Sequence, residues 1–313
     1  MMKFVVTGAL GHIGSRLVRA LPDHFPGCAI DLVDNLMTQR YPALFDLGDK
    51  ATYRFREIDI TRDPLTPVVE GTDCVIHLAA ITDATSSFGR ADELEAVNYI
   101  GTEKVAHACA EAGTPLISLS STSVYGSQKA VVDETAGMED LNPQSPYADC
   151  KLKEERLLAA LGESDDLSFF MARFGTIFGV SPGMRFHTAV NKFCWQAAMG
   201  EPLTVWSTAY EQKRPYLDLE DAVAALAHVI RNKIFDKRIY NVLTLNARVR
   251  DIVDAIRIHV PDLDVNFVDA EIMNQLSYEV SDARFRETGF TPSGDLQRGV
   301  RETIALLTPG STP

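Results

Sequence analysis

The stretch Lys3-Phe4-Val5-Val6-Thr7-Gly8-Ala9-Leu10-Gly11-His12-Ile13-Gly14-Ser15-Arg16-Leu17-Val18-Arg19-Ala20-Leu21 decides the fold. Phe4, Val5 and Val6 are too few for a helix and suit a buried parallel strand. Three glycines follow at once, and then an amphipathic segment, so the order is strand, turn, helix. Without side chains at Gly8 and Gly11 the backbone can turn tightly and a pyrophosphate can approach its N–H groups, while Gly14 lets the new helix sit close to the strand. The phosphates would lie at the positive helix N-terminus. A glycine triplet alone also fits a plain tight turn. Asp34 changes that reading: it ends a second apolar run, Ala29-Ile30-Asp31-Leu32-Val33, about 20 residues after the last glycine, where an acid accepts hydrogen bonds from an adenosine ribose. The combination predicts dinucleotide binding.

Outward from this unit the alternation continues. Tyr53 to Ile58 alternates as a half-buried strand does and runs into Asp59-Ile60, a pair that could flank an adenine ring or be an ordinary loop acid and its neighbour. Cys74 to Ala80 reads as the next buried strand, with Ala79 and Ala80 small enough for a cofactor to lie against the backbone. His77, a polar ring in an apolar run, reads as a hydrogen-bonded core histidine rather than a catalyst. Ala91 to Ala112 reads as one long helix with Leu94, Val97, Thr102 and Val105 on one face, closed by Gly113 and Pro115. Leu116 to Leu119 is a fifth strand. Strands alternating with helices predict an α/β fold with a doubly wound parallel sheet, which binds ligands at the carboxyl ends of its strands.

Composition is that of a globular chain: 313 residues, 46% of them hydrophobic and 23% charged. The net charge of −13 argues against nucleic acid or an anionic membrane as partner. Cys28, Cys74, Cys109, Cys150 and Cys194 are odd in number and scattered, without metal-like pairing, which points to a reduced, cytoplasmic protein and to no metal site. No opening segment has the character of a signal peptide, and no apolar run reaches the roughly 18 residues of a membrane span.

After the fifth strand come Ser120-Ser121-Thr122-Ser123-Val124-Tyr125-Gly126 and then Asn142 to Lys151. In Tyr-x-x-x-Lys on a helix the two side chains share a face, and the ammonium favours ionisation of the phenol, making it a general base. Roughly 0.3 such pairs are expected by chance, and the chain has two, Tyr125/Lys129 and Tyr147/Lys151. Gly126 and Ser127 break any helix across the first, whereas Pro146 is a helix-starting residue and Ala148 to Leu158 is strongly helical. Tyr147 and Lys151 are therefore the expected catalytic pair, with Tyr125 placed near the substrate.

The loop Thr7 to Gly14, the strand end Val33 to Leu36, His77 to Ala80, Asn98 to Thr102, Ser120 to Gly126 and Pro146 to Lys151 occur in the order and approximate spacing of the extended short-chain dehydrogenase/reductases. The chain resembles their NAD-dependent nucleotide-sugar epimerases and dehydratases, and among these most resembles the UDP-glucose 4-epimerases. The match covers about Met2 to Arg173 and continues more loosely through Lys213 to Ala222 and Tyr240 to Val242. It implies NAD as cofactor and a cofactor set of Gly8, Gly11, His12, Ile13, Gly14, Asp34, Asn35, Asp59, Ile60, Leu78, Ala79, Ala80, Asn98, Ser120, Tyr147 and Lys151. The family's catalytic hydroxyl falls at Ser121, which would hydrogen-bond the sugar oxygen being oxidised. Dehydratases carry an Asp-Glu pair just before the corresponding valine, and sugar-acid decarboxylases carry a Glu beside it; here those places hold Thr122 and Ser123.

The resemblance also implies a substrate lobe. Thr176 stands where an Asn usually follows the Arg-aromatic pair, and Arg214 matches an arginine that grips the diphosphate. A second such arginine is not evident in Ile272 to Gln275. Thr122, Tyr125, Thr176, Arg185, His187, Asn191, Arg214 and Tyr216 are the expected substrate residues. The expected organisation is a cofactor domain over 1–174, with 219–245 returning to it, and a smaller C-terminal substrate lobe built from 175–218 and 246–313. The activity implied is a nucleotide-sugar epimerase working through a transient keto-sugar. The alternatives are a keto-sugar reductase using NAD(P)H and a non-catalytic cofactor-binding protein. A homodimer through the helices Ala91 to Ala112 and Tyr147 to Leu161 is also implied.

Overall fold

The computed structural model describes residues 1–82, 86–126, 129–269 and 277–308. Its centre is a parallel sheet of seven strands: β1 (Lys3–Thr7), β2 (Ala29–Asp34), β3 (Thr52–Glu57), β4 (Cys74–His77), β5 (Leu116–Ser121), β6 (Phe169–Phe174) and β7 (Arg238–Val242). They lie in the order β7-β6-β5-β4-β1-β2-β3, and every pairing is parallel. This is the α/β, doubly wound Rossmann-type arrangement.

The two faces of the sheet are covered by different helices: α1 (His12–His24), α2 (Gly101–Ala112), α3 (Pro146–Ser164) and α4 (Leu219–Asn232). Side chains alternate across a strand, and β1 shows the result. Phe4 and Val6 join Leu17, Val18 and Leu21 of α1 and Ala222, Val223, Leu226 and Val229 of α4 in one core. Val5 joins Val105 of α2 and Leu158 and Leu161 of α3 in another. Each such leucine contributes about 1.5–3 kcal/mol by leaving water, and truncating Leu17 to Ala would cost about 2–5 kcal/mol.

Two glycines are required by geometry. Gly8 has φ +64°, and a Cβ there would stand 2.6 Å from the backbone nitrogen of Ala79. A Cβ on Gly14 would stand 2.4 Å from the Gly8 carbonyl oxygen, so α1 begins pressed against the turn that precedes it.

The expected long helix before β5 is not uniform. It opens as an α-turn at Ala91–Leu94, widens into a π-helical segment at Glu95–Ile100, and only then becomes α2. Asn98 accounts for the widening: fully buried, it accepts from the Ile81 N–H at 2.7 Å and donates to the Ile81 carbonyl at 2.8 Å. The π-segment carries this side chain to the loop after β4.

The second half adds a three-stranded sheet of Thr176–Phe178, Lys213–Asp218 and Leu245–Arg248. Helices Ala189–Ala198, Val249–Arg257 and Leu296–Leu307 pack with it around Phe178, Phe193, Val205, Ile252, Val253 and Val300. From this half of the chain Thr176, Ile177, Arg185, His187 and Thr188 line the cavity described next. Among the described residues no helix is long and apolar enough to cross a membrane.

Candidate active site

Strand order reverses at β1, whose neighbours are β2 and β4, and a crevice opens at such a point. A cavity of about 660 Å³ occupies it, within the range of small-molecule sites. Its wall includes Gly8, Gly11, His12, Ile13 and Gly14 after β1, Asp34 and Asn35 after β2, Asp59 and Ile60 after β3, Leu78, Ala79 and Ala80 after β4, Ser120 and Ser121 at the end of β5, and Tyr147 and Lys151 on α3. Met37, Thr38, Arg40, Thr82, Arg90, Ser123 and Thr188 also line it. All of these but Ser123 go unnamed in the sequence reading because they lie in loops without periodicity.

At the glycine-rich end, the Asp34 carboxylate accepts from the N–H groups of Leu10 at 3.1 Å and Leu36 at 3.0 Å, tying the turn after β1 to the end of β2. His12 faces the cavity, but its ring is committed elsewhere: Nε2 lies 2.9 Å from the Gly179 carbonyl. Burial lowers its pKa to about 4 against the weaker opposing pull of that carbonyl, so the ring is neutral and Nε2–H donates. Ser181 Oγ donates to the His12 carbonyl at 2.8 Å, and the Gly183 N–H donates to Ser15 Oγ at 2.9 Å. The loop after the strand Thr176–Phe178 is thereby latched to the start of α1.

At the other end Ser121, Tyr147 and Lys151 converge. Ser145 caps α3, accepting from the Ala148 N–H at 3.2 Å, with Pro146 at the first helical position. The helix sets Tyr147 and Lys151 four residues apart on its cavity face. Burial raises the Tyr147 phenol above its ordinary value; Lys151 opposes the shift, Glu154 reinforces it, and Arg185 and a hydrogen bond with Ser121 pull it down. Ser121 Oγ accepts from the Ser123 N–H at 3.1 Å and the Ser123 hydroxyl at 2.9 Å, which leaves its own hydrogen to be given toward the phenol or a ligand. Ser120 donates instead to Glu155 at 2.6 Å.

Behind Lys151 runs a buried polar chain. His77 contacts Thr7 Oγ1 through Nδ1 at 2.7 Å and Thr102 Oγ1 through Nε2 at 3.0 Å, and burial lowers its pKa to about 3. It is a core histidine, hydrogen-bonded at both nitrogens. Thr102 donates to Glu154 Oε2 at 3.3 Å, and Lys151 Nζ lies 2.8 Å from the same oxygen. Sequence reasoning missed Glu154. The signal was an acid three residues beyond the candidate lysine, on the same helix face.

The structure sorts the substrate candidates into two groups. Thr176, Arg185 and His187 line the cavity, and Arg185 is hydrogen-bonded to Thr82. Five candidates, and the cofactor candidate Asn98, are not in its wall. Tyr125 is buried, with its hydroxyl donating to Asn241 at 3.0 Å and accepting from Arg173 at 2.8 Å. Thr122 is buried and donates to the Phe174 carbonyl at 3.2 Å. Asn191 bridges the Gly179 N–H and the Arg185 carbonyl, so it shapes the loop that presents Arg185. Arg214 lies over the Tyr278 ring at 5.0 Å and donates to Gln212 at 3.3 Å. Tyr216 is buried in the second core. In each case these hydrogen-bond or packing partners hold the side chain. Ile272 to Gln275, where a second diphosphate arginine was sought, lie outside the described residues.

Residues 4–242 match the NAD-dependent epimerase/dehydratase family. The chain belongs to that family. An Arabidopsis thaliana trifunctional UDP-glucose 4,6-dehydratase/UDP-4-keto-6-deoxy-D-glucose 3,5-epimerase/UDP-4-keto-L-rhamnose-reductase is 28% identical over 97% of the chain, which spans 47% of that protein, about half its length. MoeE5, solved in complex with UDP-glucuronic acid and NAD, is 26% identical with a TM-score of 0.82, covering 99% of this chain and 100% of that one. The Bacillus cereus UDP-glucuronic acid 4-epimerase shares the fold at 22% identity and a TM-score of 0.86, with 98% and 99% coverage. The family's cofactor, NAD, suits this cavity. Gly8 and Gly11 leave backbone open to a pyrophosphate, Asp34 offers a carboxylate where a ribose would lie, and Ile60 and Ala79 supply apolar surface.

Proposed function

We propose that this protein is an NAD-dependent nucleotide-sugar epimerase that inverts a ring carbon through a transient keto-sugar. The observation that carries the reading is the junction of Ser121, Tyr147 and Lys151 with the glycine-rich loop in one cavity. The oxidised nicotinamide supplies the hydride acceptor and, once reduced, the donor. Ser121 donates to the sugar oxygen, the Tyr147 phenolate accepts its proton, and the Lys151 ammonium together with a positive nicotinamide would favour the ionised phenol. In the return direction Tyr147 would give the proton back to the sugar oxygen. Among the described residues of the cavity wall the carboxylates are Asp34 and Asp59, both at the glycine-rich end, while Ser123 and the buried Thr122 occupy the turn after β5. An elimination needs an acid beside the leaving hydroxyl, so this supports epimerisation over dehydration.

In this reading 1–174 with 219–245 holds the cofactor, 175–218 with 246–313 holds the substrate through Thr176, Arg185 and His187, and the protein works in the cytoplasm. It pairs as a homodimer through the helical segment 91–112 and α3, where Ile100 is exposed. The test is incubation of the purified protein with a panel of UDP- and dTDP-sugars, followed by NMR of the products. Inverted sugar with no net change in reduced-nicotinamide absorbance is expected. Stoichiometric consumption of added reduced cofactor would make it a reductase, and a 4-keto-6-deoxy product a dehydratase.

A further inference from the structure

Glu154 is 0% exposed and stands one helical turn beyond Lys151. Its Oε2 is 2.8 Å from Lys151 Nζ and accepts from Thr102 at 3.3 Å, while the Cys150 thiol approaches Oε1 at 3.8 Å. The neighbouring Glu155 has separate work: it pairs with Arg173 at 2.6 Å and accepts from Ser120. A buried carboxylate persists when it is paired, and Lys151 is the cation paired with Glu154. That has a consequence for Tyr147. A lysine one turn from a phenol favours the phenolate because it is a net positive charge. With a carboxylate against the same ammonium, the phenol faces a nearly neutral pair.

We propose that Glu154 is a positioning residue that holds Lys151 in place and offsets its charge, so that Tyr147 keeps its proton in the protein without cofactor. This rests on the epimerase reading only in taking Tyr147 as the base. Other groups around the pair do not replace the offset. His77 from β4 is buried and neutral, Thr102 from α2 and Ser121 from β5 are uncharged, and the Cys150 thiol is pushed up to about 12 by burial. Arg185, from the substrate side, is the remaining cation acting on the phenol. The step served is removal of the substrate hydroxyl proton as its carbon gives up hydride: the O–H and C–H bonds break, a C=O forms, the proton would end on Tyr147, and the oxidised nicotinamide would supply the two-electron acceptor for the hydride.

The test is an ultraviolet titration of Tyr147, read as the phenolate absorbance of the wild type minus that of Tyr147→Phe, on protein stripped of bound nucleotide and without substrate. In the wild type no phenolate from Tyr147 is expected at neutral pH. In Glu154→Gln the midpoint is expected to fall by roughly one pH unit or more, the effect of removing a nearby like charge. The acid limb of the pH–rate profile should move the same way, and Thr102→Val, which keeps both charges, should leave it in place. An unchanged midpoint in Glu154→Gln would overturn the proposal, as would loss of activity at every pH with no shift. If Glu154→Gln does not fold, the same titration of Glu154→Asp decides: a shorter carboxylate drawn back from the ammonium should lower the midpoint in the same direction, and an unchanged midpoint would overturn the proposal. The titration needs no turnover, so a protein inert toward every sugar nucleotide would sink the epimerase reading while leaving this result intact.

Discussion

The chain contains Tyr-x-x-x-Lys twice, and the two copies came to opposite ends. Tyr147 and Lys151 lie on one face of α3 and both line the cavity. Tyr125 follows a short 3-10 turn, is 2% exposed and sits under the Arg173 guanidinium at 4.9 Å. Its lysine, Lys129, reaches out to Asp140 at 2.5 Å with 60% of its side chain exposed. Burial raises both phenols, Tyr125 to about 12, so the direction of the shift does not tell base from scaffold. What separates them is that a spacing of four joins two side chains only on a helix, and that only one phenol faces open space.

The strongest way to break this comparison is Tyr147→Phe. It removes the proton-carrying oxygen and keeps the ring, so turnover should fall by two or more orders of magnitude, about 2.7 kcal/mol of transition-state stabilisation, with NAD content and folding preserved. Full activity in this variant would show that the other pair was the functional one.

Acid sharpens the contrast between scaffold and site. His77 and His12 have folded pKa values of about 3 and about 4, below their ordinary 6.5. Both are neutral when folded and take up a proton on unfolding below pH 6.5. Their contribution is therefore fully present above 6.5 and is lost as pH falls toward 4, at about 1.4 kcal/mol per pH unit for each. Urea unfolding at pH 7, 6 and 5 should show this decline, and His77→Asn should flatten it.

The smallest effect belongs to the other copy. Tyr125→Phe leaves Asn241 and Arg173 each short of a buried partner and should lower stability by about 1–3 kcal/mol, with turnover per folded molecule unchanged. Lys129→Ala, as its control, should cost under about 1 kcal/mol. Denaturant midpoints and specific activities measured on the same samples would check both. A large loss of kcat in Tyr125→Phe would return that phenol to the site.

How far the site could be read in advance followed from the range of each interaction. Gly8, Gly14 and Asp34 are legible because turn, helix start and strand end lie within one short unit. Ser121 rests on a resemblance, and the cavity then places it against Tyr147. Asn98, Asn191 and Arg214, expected as ligand contacts, lie outside the cavity wall, because polar side chains are satisfied by whichever partner folding brings near. For Asn98 that partner is the Ile81 backbone, 17 residues away, and for Tyr125 it is Asn241, 116 residues away.

By itself the sequence determined the alternation of strands and helices, because apolar periods of two and of three to four are local and cannot be exchanged. It also determined which Tyr-x-x-x-Lys is helical, since Pro146 and Gly126 act on their own backbone. Only the tertiary structure decided the charge around Tyr147. Whether Glu154 points to solvent or to Lys151 depends on α2 and β4 closing over that face of α3, where Thr102 and burial make the ammonium its partner. A carboxylate in water and the same carboxylate sealed against an ammonium are one letter in the sequence, and the difference between them is made by packing.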